Sequence, residues 1–157
     1  MNFSREADDR CYELAEQQGR IFEGSVEQEM SSYLFIRSFV RSYYCRSMDD
    51  LFRHEYSLSE QDAYEGIRPT KGKCYPKEVL YWMGYMYRVI AYLCIWPSTL
   101  CIKQIPISYL RSVYAPYHTV SPLRAIEEIF RDLNLEPWTP EQRIHKILVD
   151  TGYNQNK

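Results

Sequence analysis

The sequence predicts an all-α fold: one domain spanning residues 1–157, with about seven helices packed around a buried aromatic one. Three observations lead there. The stretch from Tyr75 to Trp96 is apolar over most of a helical circumference, which marks a helix enclosed by others. Serine, threonine and proline start signals recur ahead of segments with three- and four-residue apolar spacing. No segment alternates apolar and polar residues between hairpin turns, and no internal repeat is present.

Taken in order, Ser4 suits the cap of a first helix over about 5–19. Glu6, Asp8 and Asp9 would sit at its positive end, and Gly19 would stop it. Its apolar residues are few, Cys11, Leu14 and Ala15 among them, so it is expected to lie on the core as a lid. Ser25 with Gln28 has capping-box spacing and opens a second helix to about Cys45, with Met30, Tyr33, Leu34, Phe35, Phe39, Val40 and Tyr43 on its broad apolar face. Ser47 with Asp50 repeats the signal for a short helix at about 48–55, and Ser59 caps a further turn within 57–66. Arg68 to Lys73, a proline, two lysines and a glycine without periodicity, is a loop inside the domain.

Pro76 belongs at the start of the central helix, where a missing N–H costs nothing, and Pro97 is expected to stop it. One set of apolar positions is Val79, Trp82, Met83, Met86, Ile90 and Leu93; another is Leu80, Gly84, Tyr87, Ala91 and Cys94. The strip left over holds Tyr81, Tyr85, Arg88 and Tyr92. It either roofs the core with its hydroxyls reaching water, or is a recognition surface. Beyond it, Ser98 caps a brief turn to Lys103, and Pro106 starts a helix that Pro116 limits. Tyr117, His118 and Thr119 form the next connection. Ser121-Pro122 begins a helix with Leu123, Ile126, Ile129, Phe130 and Leu133 as its buried face. Thr139-Pro140 opens a last helix through Leu148, and the tail from about 153 is polar.

Composition narrows the function classes. Fifteen tyrosines give an aromatic content of 15%, and tyrosine-rich surfaces suit protein recognition. Five cysteines without a C-x-x-C pair point to reduced thiols in a cytoplasm rather than a disulfide frame or metal site. MNFSREADDR is charged where a signal peptide needs an apolar run. Arg88 and five tyrosines argue against the central helix as a membrane span. The net charge of −2 is uneven: residues 1–67 carry 7 basic and 14 acidic side chains, and residues 68–112 carry 7 basic and one acidic. The basic block either meets an anionic partner or faces the acidic N-terminal third.

No glycine-rich phosphate loop, nucleophile elbow or paired metal ligands are present, so no catalytic residue, cofactor or metal is expected. Arg111 and His118, in RSVYAPYH, resemble the Arg-x4–6-His signature of HEPN-type ribonucleases. There the histidine handles the proton and the arginine the phosphorane charge. Pro116 departs from that pattern by interrupting the helix that should carry both. Tyr117, His118 and Thr119 are either a turn lock, with His118 bonding inward, or a partner contact.

The blocks VLYWMGYMYR, APYHT and SPLRAIEEI resemble an uncharacterised family of small bacterial proteins. Its tryptophan-x-glycine-tyrosine-x-tyrosine-arginine helix corresponds to Trp82, Gly84, Tyr85, Tyr87 and Arg88. Its tyrosine-histidine-threonine turn corresponds to Tyr117, His118 and Thr119, and its following helix to Ala125, Ile126 and Glu127. The likeness covers about a third of the chain well. Members are similar to accessory proteins of toxin–antitoxin-type loci, some beside ADP-ribosyltransferase-like toxins. The family has no assigned activity, but that neighbourhood suggests an antitoxin or inhibitor with a protein partner, for which the strip of Tyr81, Tyr85, Arg88 and Tyr92 and the Tyr117–Thr119 turn are the candidate binding residues. An RNA-binding protein built on the basic block and its aromatics is the alternative.

Overall fold

A computed structural model describes residues 1–50, 59–137, 144–145 and 148–149. All its described regular structure is helical, as expected. Eight α-helices follow in order: α1 (Asp9–Gly24), α2 (Ser32–Phe39), α3 (Tyr43–Asp49), α4 (Lys77–Cys94), α5 (Ser98–Gln104), α6 (Ile107–Ser112), α7 (Tyr114–Tyr117) and α8 (Pro122–Asp132). Two 3₁₀ turns, Ser25–Gln28 and Glu60–Tyr64, join them. The expected helices at 48–55 and 139–148 and the polar tail lie wholly or largely outside the described residues. No single described helix is long and apolar enough to cross a membrane.

α4 is the axis of the molecule. Thirteen of its 18 residues are buried, and its principal packing partner is α1. The two helices approach closely at a pair of glycines. A Cβ on Gly84 would stand 2.7 Å from the Gln18 carbonyl oxygen, and one on Gly19 would stand 3.0 Å from the Tyr81 carbonyl oxygen. Gly19 is thus an interior residue of the crossing and not a stop, and α1 runs on to Gly24. Its true cap is Asp8, whose carboxylate accepts the Cys11 N–H at 3.0 Å, which moves the helix start from the expected Ser4.

The long helix expected over 25–45 is divided, and Tyr33, Leu34 and Tyr43 of its expected apolar face are exposed. Ser25 donates its hydroxyl to the Phe22 carbonyl instead of capping, and Glu29 takes a left-handed conformation. Ser31 and Ser42 then cap α2 and α3 through the Leu34 and Cys45 N–H groups. Division lets Phe35 and Phe39 turn onto Phe22, with ring centroids at 5.8 and 5.5 Å. Ser47 lies within α3 and donates its hydroxyl to the Tyr44 carbonyl. The Ser59 signal is real: its N–H donates to Asp62 at 2.7 Å, closing a capping box. Residues 68–73 form the expected loop, tied to α2 by Ser31 N–H to Thr70 and Ser32 N–H to Lys73.

α4 ends one turn before Pro97. Ile95 adopts φ 54° and the Trp96 N–H returns to the Ala91 carbonyl, a left-handed termination at a β-branched residue. Pro97 caps α5 instead, and the chain turns by 108°. Tyr87 anchors the turn by donating to the Ile105 carbonyl at 2.7 Å. Pro116 does not close the 106–115 helix. It sits within the single turn of α7, where no earlier carbonyl requires its N–H. In α8, Ala125, Ile126, Ile129 and Phe130 are buried, but Leu123 is exposed, because the stripe facing Trp96 and Phe3 begins one turn later.

Candidate functional site

Two groups of residues singled out by the sequence meet in one place. Tyr81, Trp82, Tyr85 and Met86 of α4 form one wall of an open groove of about 210 Å³, and His118, Val120 and Pro122 form the other. Helical spacing sets the first wall, since positions 81, 82, 85 and 86 share a face. The second exists because α7 ends at His118 and α8 starts at Pro122, leaving Val120 at 41% exposure in the connection. The rings are arrayed, not scattered. Tyr81 and Tyr85 lie 6.2 Å apart, Trp82 meets the edge of Tyr114 at 5.7 Å, and Tyr114 stacks on His118 at 4.2 Å. Burial pushes the Tyr85 hydroxyl up to about 12 and the Tyr81 hydroxyl upward too, so both remain donors at neutral pH. Neither hydroxyl is bonded among the described residues, and the groove offers an apolar body with two donors at its edge.

Arg88 and Tyr92 do not join it. The Arg88 side chain is 2% exposed, so the strip of Tyr81, Tyr85, Arg88 and Tyr92 is not a continuous surface. The reason is α1, which covers that face at the glycine crossing. The guanidinium donates from Nε to Gln18 at 2.9 Å, from Nη1 to Asp49 at 2.6 Å, and from Nη2 to Ser98 at 3.0 Å. Its Nη2 also reaches the Cys45 sulfur at 3.4 Å. Burial pulls its pKa down, and the neighbouring Cys45 and Asp49 more than restore it, leaving it above the usual value. The Tyr92 hydroxyl donates to the Asp8 carboxylate at 2.8 Å, while Arg5 leans over its ring at 5.3 Å. These residues border a pocket of about 390 Å³ between α3 and the end of α4, which also takes in Arg46 and Trp96.

The Tyr117–Thr119 segment bonds mostly to its own surroundings. Tyr117 and Tyr109 both donate to Asp132 at 2.7 Å and hold its carboxyl below the usual range. His118 is exposed, and its Nδ1 lies 2.7 Å from the Tyr114 carbonyl, a bond along its own helix and not into the core. Thr119 is exposed. Arg111 lies over the Tyr75 ring at 4.3 Å, and within the chain it shares no hydrogen bond with His118. Four thiols are buried, and burial pushes Cys11 and Cys94 up to about 12 and Cys45 up to about 11, so they stay protonated at neutral pH. No cluster of metal-ligating side chains occurs among the described residues.

Sequence reasoning missed the partners of Arg88: Gln18, Asp49 and Ser98. The available signal was the helix itself, since an arginine on a helix apolar all round must bring buried acceptors with it. Two of the seven cations of the basic block do face the acidic N-terminal third, Lys77 paired to Glu27 and Arg88 to Asp49. No family model matches the chain, and neither does any curated protein or solved structure.

Proposed function

We propose that the protein is a non-catalytic protein-binding module of antitoxin or inhibitor type, which neutralises a bacterial partner enzyme by docking it at the aromatic groove. One observation carries this reading. Tyr81, Trp82, Tyr85 and His118 converge on one open groove, with two hydroxyls left unbonded among the described residues. Fixed aromatic anchors around a pocket are what protein–protein hot spots consist of. The cost of ordering them is already met, because Tyr114 and Gly19 hold the flanking rings in place. The buried ionisable groups fit the same reading: Arg88 and four of the five thiols are enclosed in the core, and only Cys74 is exposed. The resemblance to proteins of toxin–antitoxin-type loci makes an ADP-ribosyltransferase-like toxin the first partner to try.

The test is co-purification of the tagged chain from its native host, followed by binding of the recovered partner to Val120→Glu and Tyr85→Ala. Each variant is expected to weaken the complex by about 2 kcal/mol, or roughly thirtyfold, with melting nearly unchanged for the exposed Val120. Recovery of no protein partner together with turnover by the isolated chain refutes the proposal. So does a stable complex indifferent to both variants.

A further inference from the structure

A second groove, of about 480 Å³, lies between α2 and the α5–α6 turn and shares no lining residue with the aromatic one. Arg37, Arg41 and Lys103 stand on its walls, all exposed, and no carboxylate lines it. Its floor is apolar, with Ile107 buried, Ile102 half-buried and Pro106 at the edge. Several surface cations elsewhere are matched: Arg20 with Glu60, Lys77 with Glu27, and Arg124 and Arg131 with Glu128. Among the described residues the side chains of Arg41 and Lys103 have no ion pair or hydrogen bond, and that of Arg37 only rests over the Tyr33 ring at 5.6 Å. Three uncompensated cations in one groove, on a chain of net charge −2, form a local field of the opposite sign to the whole.

Helix ends explain part of this. Arg37 and Lys103 lie in the last turns of α2 and α5, where the dipole favours positive charge. The dipole does not account for Arg41, which lies beyond α2, nor for both helix ends meeting in a single groove. We propose that this groove binds an acidic peptide segment of a protein partner, carboxylates on the cationic walls and apolar side chains on the Ile102–Ile107 floor. A nucleic acid fits less well. Tyr33 has one face covered by Arg37, which leaves a poor stacking platform, and the net negative charge repels a long polyanion. The proposal rests on the reading of the chain as a protein-binding module but not on the aromatic groove.

The probe is a short fluorescein-labelled peptide of glutamate and leucine, read by anisotropy on the whole chain, with a glutamine-for-glutamate counterpart. The glutamate peptide is expected to bind and to weaken as salt rises, and the glutamine peptide not to bind. Combined Arg37→Glu, Arg41→Glu and Lys103→Glu is expected to abolish binding, and Arg41→Gln alone to weaken it. The same charge change placed at Arg20, Arg124 and Arg131, none of which lines the groove, is expected to leave at least about a third of the affinity, since salt screens charges away from the contact. Tyr85→Ala, which probes the aromatic groove, should leave peptide binding unchanged, so the two surfaces fail separately. Absence of glutamate-peptide binding overturns the proposal, as does binding that survives the triple variant. Tighter binding of a single-stranded RNA through the same three cations overturns it too, in favour of a nucleic-acid ligand.

Discussion

Gly84→Ala sets helix propensity against packing. In an exposed helix interior the change would stabilise by about 1 kcal/mol. Here the new Cβ would lie 2.7 Å from the Gln18 carbonyl oxygen and 2.8 Å from Phe22 Cγ, both closer than real Cβ contacts run. Neither neighbour has room to yield. The carbonyl belongs to the interior of α1, and the Phe22 ring is fully buried between Phe35 and Phe39. Relief must come from moving α1 off α4, an overpacking cost of about 1–3 kcal/mol. That movement also stretches the Gln18 bond to the Gly84 carbonyl and the Arg88 bond to Gln18, both 2.9 Å, and weakening them costs about 1 kcal/mol more. After the propensity gain, a net loss of about 2 kcal/mol remains, or about 4–8 °C in Tm for a domain of this size. Thermal and urea unfolding measure it. A variant melting at or above the parent would refute the argument that the glycine crossing sets the α1–α4 distance.

Asp49→Asn should destabilise by about 3 kcal/mol in urea unfolding, because it leaves the buried Arg88 charge without its counterion; partial exposure of Asp49 keeps the figure below that of a fully enclosed pair. His118→Ala should cost only about 0.5–1 kcal/mol by thermal melting, since the Tyr114 carbonyl keeps its bond from the His118 backbone N–H and the lost stacking is at the surface. Asp132 has its pKa lowered on folding by the Tyr117 and Tyr109 hydroxyls, so its contribution is full above the unfolded value near 4 and is lost as pH falls through the folded value. Asp132→Asn should therefore lower Tm at pH 7, and the gap to the parent should narrow as pH falls below the unfolded value, a convergence that paired melting curves would detect.

The fold class and the central helix were legible because they rest on local rules. An 18-residue helix with few polar interruptions and a proline at its start has one reading. Boundaries failed where tertiary contact overrode the local signal. Gly19 has the composition of a helix stop, yet it is needed inside α1 to admit Tyr81, and nothing within residues 5–19 records that. Ser25 and Ser47 have the spacing of caps but spend their hydroxyls on carbonyls three residues back, an equally local bond of similar strength. The site was half legible. Tyr81 and Tyr85 on α4, and His118 far along the chain, were each chosen separately. That they form one groove depends on the α6–α7–α8 path, which periodicity does not encode.

The misplacement of Arg88 bears on function as well as on prediction. A positive charge on an aromatic strip invites a surface reading, and the pocket of about 390 Å³ with Arg5, Arg46 and Arg88 on its walls invites an anion. The hydrogen bonds argue otherwise. Arg88 spends its Nε, Nη1 and Nη2 groups on Gln18, Asp49, Ser98 and Cys45, and the Asp49 carboxylate also accepts the Ser98 N–H at 3.0 Å and its hydroxyl at 2.6 Å. An incoming anion would have to displace Asp49 and leave two Ser98 donors without their acceptor, at a cost of several kcal/mol before any gain. The network instead ties together α1, α3, α4 and α5 through Gln18, Cys45 and Asp49, Arg88, and Ser98. A buried pair of this kind adds little net stability but penalises any packing in which one of the four helices is out of register. Arginine chemistry available to a partner is therefore found outside that network, on the walls of the groove between α2 and α5, where the cations have no carboxylate to hold them.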